Sequence, residues 1–255
     1  MWCTCKMPYI PPAYTGVKIF KDPKSKIYAY GYDKKGRKQI IYNTWFIEKQ
    51  RTKRFKRILG LKTSINALKS KIRKVLSAPS TYPEKEVYVC VVLQLMFLCN
   101  FRIGNTKYLK DNGSYGLTTL EWKHLKFTKG SNTCTIEFNG KKGVVNKSVC
   151  DDCKVVKLLR AWKRKYKNDR DKVFRVSAKE VNEYIHKIDD KMSAKDIRTW
   201  HANYLFIKFF KAAKLLGNTD KQSRSIAIKQ VAVSLHNTPA VCKKNYLLPL
   251  SLIHI

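Results

Sequence analysis

Residues 87–101 read VYVCVVLQLMFLCNF, an apolar run broken only by Gln94 and Asn100. A bilayer crossing needs about 20 apolar residues, so this run of about 15 is too short to span one and predicts a buried core helix over 84–101. Further helices are predicted at 62–77, 151–166, 178–188, 193–216, 221–236 and 239–247. Ser177, Ser193 with Asp196 three residues on, and Thr238 followed by Pro239 supply their start signals. A β excursion interrupts the helices: Leu117–Phe127, then Thr133–Phe138, a turn at Asn139-Gly140-Lys141-Lys142-Gly143, and a return at Val144-Val145. Asn-Gly is a strong hairpin signal.

Upstream, Val17–Phe20, Ile27–Tyr30 and Gln39–Tyr42 read as strands, with Tyr32-Asp33-Lys34-Lys35-Gly36 as a turn. The expected fold is α+β: a small β-rich N-terminal module over 1–58, then a mainly helical domain over 59–249 with an inserted β-hairpin or sheet. The basic stretch Lys49 to Arg57 reads as the linker between them. Residues 250–255 follow Pro249 abruptly and match a translated sequencing-library adapter, so they are set aside as an artefactual tail.

Composition narrows the partner. The 255 residues include 53 Lys and Arg against 18 Asp and Glu, a formal charge of +35, while 44% are apolar. A compact chain with that imbalance repels itself unless a polyanion is near, and nucleic acid is the polyanion that releases counterions when Lys and Arg neutralise it. The N-terminus has no secretion-signal pattern, so the eight cysteines are expected to be free thiols inside a cell, bacterial or viral. Cys150 and Cys153 form a lone CxxC, with Cys3 and Cys5 far away in sequence, and no metal site is expected. GxxxxGK[ST] and GxGxxG are both absent.

Breaking a phosphodiester without metal needs a nucleophile, cations over the non-bridging oxygens and an acid for the departing 5′ oxygen. Arginine suits the oxygens through its planar fork, and a buried lysine suits the acid role. Five segments hold these residue types: Phe101–Tyr108 after the core helix, Asn139–Gly143 at the hairpin, Lys195–Trp200 opening a long helix, Leu235–Tyr246, and Gly31–Gln39 in the small module. Any one residue taken alone has an ordinary reading. An Arg after an apolar helix is commonly an end-cap, and a lysine in an Asn-Gly turn is commonly solvated.

Ile10-Pro11-Pro12-Ala13-Tyr14-Thr15, Gly36-Arg37-Lys38-Gln39, Arg102-Ile103-Gly104, Ser114–Leu120 (SYGLTTL), Lys195–Thr199 (KDIRT) and Asn237–Tyr246 (NTPAVCKKNY) follow one another in order. In that register the chain resembles the short type IB DNA topoisomerases of poxviruses and bacteria over residues 10–249. The resemblance implies a DNA breaking-rejoining fold, a monomeric C-shaped clamp on double-stranded DNA, and ATP-independent relaxation without cofactor or metal. It makes Tyr246 the nucleophile, Arg102 and Arg198 the clamp on the non-bridging oxygens, and Lys141 the general acid, with Lys142 as its alternative. The fifth catalytic position, nine residues before the tyrosine, falls on Asn237. His236, where many relatives have glycine, is the fallback. Arg37, Lys38, Gln39, Tyr108 and Lys142 become DNA contacts. Relatives generally carry further strands before the IPPAYT segment, and here Met1 to Tyr9 precede it, with Trp2-Cys3-Thr4-Cys5 matching no motif. The N-terminal module is therefore expected to be incomplete. Two other readings stay open. Tyrosine recombinases share the Arg, Lys, Arg and Tyr chemistry but usually show HxxR-type spacing, where this chain has Lys195-Asp196-Ile197-Arg198. A non-enzymatic DNA-binding protein would explain the charge alone.

Overall fold

The computed structural model describes residues 7–166 and 168–248, so the expectations for Trp2-Cys3-Thr4-Cys5 and for the 250–255 tail lie outside the described residues. The chain divides into two compact units, Met1–Gly60 and Leu61–Ile255.

In the first unit, β1 (Thr15–Ile19), β2 (Ile27–Tyr32) and β3 (Lys38–Tyr42) form an antiparallel sheet in that order. Alternation in β2 sends Ala29 and Gly31 inward and leaves Tyr32 exposed. The basic stretch at 49–57 corrects the reading as a linker. It is the body of a 17-residue helix, α1 (Thr44–Gly60). Lys, Arg, Gln and Glu lose little rotamer freedom in a helix, and Phe55 and Ile58, three residues apart, share its buried side. The Arg51 and Arg54 guanidiniums lie 5.4 and 5.1 Å from the Phe55 ring, which lets two charges cover apolar surface.

The second unit is built around the run quoted at the outset. It forms α3 (Glu84–Cys99), in which every residue from Val87 to Cys99 is buried except Gln94 and Leu98. A helix apolar all round must be enclosed. α2 (Lys62–Ser77), α6 (Ala178–His186), α7 (Ala194–Leu215) and the second sheet pack against it. α3 stops two residues earlier than predicted because Asn100 takes the left-handed conformation (φ 54°), one that Asn tolerates. α5 (Cys153–Lys163) begins at Asp152, whose side chain caps it and also accepts from Gln94 Nε2 at 2.8 Å.

The second sheet, β4 (Leu125–Phe127), β5 (Cys134–Asn139) and β6 (Val145–Cys150), is antiparallel in that order. Residues 117–124 are not strand as expected but two single turns of 3₁₀ helix, Leu117–Thr119 and Trp122–His124. Thr119 exchanges hydrogen bonds with Gly116 at both its N–H and its carbonyl, while Leu117 N–H and Thr118 N–H donate to the Arg102 and Ile103 carbonyls. Those bonds leave no ladder for a strand to join.

The hairpin differs from an Asn-Gly turn as well. Asn139 is the last residue of β5, paired with Val145, and the left-handed residues are Lys142 (φ 65°) and Gly143 (φ 72°). Gly140 is needed for closeness, since a Cβ there would lie 2.3 Å from Asn146 Nδ2. A helix the sequence reading did not anticipate, α4 (Thr106–Asn112), is capped by the Asn105 side chain and ended by Gly113. α8 (Asp220–Ser234) and α9 (Pro239–Asn245) complete the unit. Among the described residues no helix is long and apolar enough to cross a membrane, no group of His, Cys, Asp and Glu could hold a metal ion, and the cysteines are free thiols.

Candidate active site

Tyr246 owes its place to the packing beneath it. Ala202, Phe206, Phe210, Ala227, Val231, Ala232, Leu235, Cys242 and Leu247 form one apolar cluster that fastens α9 to α7 and α8. Thr238 caps α9 by accepting from Val241 N–H, and Pro239 stands at its first position, where a missing N–H costs nothing. Tyr246 follows directly. Its carbonyl accepts from Asn203 Nδ2 at 2.8 Å, while Asn203 Oδ1 accepts from Leu248 N–H at 2.9 Å. The sequence reading missed Asn203. Its signal was a polar residue between Ala202 and Phe206 in the predicted 193–216 helix, and it is 5% exposed.

Arg198 sits at the start of α7, where the Asp196 carboxylate accepts from both the N–H and the hydroxyl of Ser193. It is 5% exposed, and one terminal nitrogen donates to the Leu235 carbonyl at 2.5 Å. Its Nε and its other terminal nitrogen have no hydrogen-bond partner among the described residues. Burial brings its pKa down to about 10, which leaves it charged at neutral pH. Its guanidinium carbon stands 5.4 Å from the centre of the Tyr246 ring.

Arg102 arrives from another direction, on the segment that leaves α3. Gly104 and Gly116 cross so closely that a Cβ on Gly116 would be 2.5 Å from the Gly104 Cα, which explains why both RIG and SYG carry glycine there. One terminal nitrogen of Arg102 donates to Asn237 Oδ1 at 3.0 Å and to the Tyr246 hydroxyl at 3.4 Å. Burial favours the neutral phenol of Tyr246. The charges of Arg198 and Arg102, with the Arg102 hydrogen bond, outweigh it, and the net shift is downward from the ordinary tyrosine value.

Lys141, in the hairpin loop, lines the same cavity of about 480 Å³ as Arg102, Arg198 and Tyr246. Tyr108 on α4, 57% exposed, and Lys195 on α7 also line it. Four separated stretches of chain thus bring Arg102, Lys141, Arg198 and Tyr246 to one space, with Lys195 adding a fourth cation at its wall. Lys142 is exposed and carries the positive φ of the loop.

Of the two contenders for the fifth position, Asn237 meets Arg102. Its Nδ2 also donates to the Leu235 carbonyl at 3.1 Å. The His236 ring instead stacks on Phe101 (centroids 5.3 Å, 26° between planes), with Nε2 3.3 Å from the Cys99 carbonyl. His236 has φ 49°, a conformation that suits glycine and strains other residues by roughly 1 kcal/mol or more. We expect His236→Gly to be more stable than His236→Ala by about 1 kcal/mol, since both lose the ring and only alanine keeps the strain. Denaturant midpoints in the opposite order would contradict this.

Arg37, Lys38 and Gln39 lie in the first unit. Asp33 organises them: its Oδ2 accepts from Arg37 Nε at 2.9 Å and from Gln39 Nε2 at 3.0 Å, and the Arg37 hydrogen bond holds its carboxyl down at about 2. The Lys38 ammonium lies 4.1 Å over the Tyr30 ring.

The family model described as "Eukaryotic DNA topoisomerase I, catalytic core" matches residues 38–249. The chain is 32% identical to DNA topoisomerase 1B of Acanthamoeba polyphaga mimivirus, over 94% of this chain and 75% of that one. It is 30% identical to DNA topoisomerase I of Monkeypox virus, over 93% of this chain and 76% of the relative. DNA topoisomerase 1 of Schizosaccharomyces pombe is 28% identical over 60% of this chain and 18% of its own. With the family match running through the hairpin and α9, and viral relatives aligned along nearly its whole length, the chain belongs to the type IB DNA topoisomerases, in their short viral form.

Proposed function

We propose that this topoisomerase relaxes supercoiled double-stranded DNA by cutting one strand through Tyr246 and resealing it, without ATP or metal. The Tyr246 phenol loses its proton to solvent and attacks the phosphorus. The bond to the 5′ oxygen breaks, and that oxygen takes a proton from Lys141, leaving a 3′-phosphotyrosyl link and a 5′ hydroxyl. Arg102 and Arg198 hold the non-bridging oxygens, where charge builds in the transition state. Asn237 orients Arg102 and offers its remaining amide N–H to a phosphate oxygen. One phosphodiester is exchanged for another, so bond energy is conserved and the 5′ hydroxyl can return after the free end has rotated. Arg37, Lys38, Gln39, Tyr108 and Lys142 contact the flanking DNA, and the enzyme acts as a monomer that engages the duplex with both of its units.

One observation carries this reading. The buried Arg198 guanidinium keeps two nitrogens without partners beside the Tyr246 phenol, in a cavity that Arg102 and Lys141 also line. A charge buried without partners is costly, and a phosphate group would satisfy it. The test is incubation with supercoiled plasmid in EDTA without ATP. The expected result is a ladder of relaxed topoisomers and, after addition of SDS, a covalent adduct on the 3′ side of the break. A strict magnesium requirement would overturn the reading, as would relaxation with no adduct. Products joined from two different duplexes would point to recombination instead.

A further inference from the structure

We propose that Tyr115 and Glu121 form a brace that aims Lys141, making Tyr115 a positioning residue for proton delivery to the 5′ oxygen. This rests on the reading of Lys141 as the acid. Lysine is a point charge on a flexible four-carbon stem, so its aim depends on the backbone that carries it. From within the hairpin, that backbone is held by Gly140 N–H and Asn146 Nδ2, each donating to the Val144 carbonyl at 2.8 Å. From outside the hairpin, Tyr115 N–H donates to the Asn139 carbonyl at 2.9 Å, two residues before Lys141.

Tyr115 is itself secured on several sides. Its hydroxyl donates to Glu121 Oε1 at 2.9 Å, and its ring meets the His124 ring edge-on at 4.4 Å. The Lys123 ammonium pairs with Glu121 Oε2 at 2.5 Å and lies 5.6 Å from the Tyr115 ring. His124 Nδ1 accepts from Glu121 N–H at 3.0 Å, which closes the cluster. Burial pushes the Glu121 carboxyl upward, but the hydrogen bonds from Lys123 and Tyr115 outweigh it and hold it below the usual carboxylate range. An ionised acceptor makes the Tyr115 bond a charge-assisted one. Tyr115 lines the same cavity as Lys141 while its hydroxyl is committed to Glu121. That arrangement fits a support for the acid better than a contact to substrate.

The brace can be tested by changing the leaving group. A sulfur in place of the bridging 5′ oxygen leaves as a thiolate, whose conjugate thiol has a pKa of only about 8.5, so its departure does not need a proton. Single-turnover cleavage is measured on matched duplexes with oxygen or sulfur at that position. Tyr115→Phe is expected to slow cleavage of the oxygen substrate on the order of tenfold to a hundredfold, the scale of a small misplacement of a catalytic group. On the sulfur substrate it should cleave at the rate of the unmodified enzyme. Glu121→Gln should show the same pattern, and thermal melts of both variants verify folding. Equal slowing on the two substrates, no slowing at all, or weaker DNA binding at an unchanged rate would each overturn the brace. Lys141→Ala is run alongside. If it slows both substrates equally, the acid assignment itself fails. If it is rescued by sulfur and Tyr115→Phe is not, only the brace fails.

Discussion

Replacing Tyr246 with phenylalanine is expected to abolish relaxation and covalent trapping, a loss of roughly a millionfold, the scale seen when a covalent enzyme loses its nucleophile. The ring that packs beside Arg198 is kept, so the α7–α9 packing should survive and DNA affinity should stay close to that of the unmodified enzyme. Loss of binding along with activity would undercut the assignment. The same pair of proteins tests the electrostatics. Burial alone would raise the Tyr246 pKa, and the Arg198 and Arg102 charges reverse that, so the folded phenol ionises below the ordinary value of about 10. Cleavage by the unmodified enzyme should therefore rise with pH as phenolate forms and level off before the pH at which a free tyrosine would ionise. The difference in ultraviolet phenolate absorbance between the two proteins should show one tyrosine titrating early. A midpoint above the ordinary value would mean that burial had won.

The second large effect is expected at Arg198. Arg198→Met should slow cleavage on the order of a thousandfold, since a preorganised donor to the transition-state oxygens is lost. It should also raise the stability of the free protein by about 1–3 kcal/mol, because the arginine holds a charge at 5% exposure with two nitrogens lacking partners, while methionine fills the volume without a desolvation cost. Against this stands the lost bond to the Leu235 carbonyl, which keeps a donor in Asn237 Nδ2. A variant both inactive and less stable would show that Arg198 is a structural strut. The opposed signs are the mark of a group kept for its substrate and not for the fold.

Much of this molecule can be read before it folds. The helices at 62–77, 178–186 and 194–215 fall where apolar spacing and Ser caps predict them, because amphipathic period and capping are local properties. What went wrong was local chemistry answering to distant partners. The 117–124 stretch has strand composition, yet the Leu117 and Thr118 N–H groups go to the Arg102 and Ile103 carbonyls and those of Trp122 and Lys123 go to the Asp171 and Asp169 carbonyls. The 49–57 stretch has a linker's charge, yet Phe55 and Ile58 bury one side of it as a helix. α4 was invisible because it is short, exposed and nearly without apolar period.

The identity of the candidate residues, their order and the register that makes Asn237 the ninth before Tyr246 are present in the one-dimensional string. No sequence spacing could show that Asn237 turns to Arg102 while His236 turns to Phe101. Neither could it show that Asn203 holds the Tyr246 carbonyl, or that Tyr115 reaches both the hairpin and Glu121. Those facts join residues up to 135 positions apart. Side-chain type is inherited from the chain, but the electrostatic field at a phenol is a sum over whatever packing has brought near it, and that sum exists only in three dimensions.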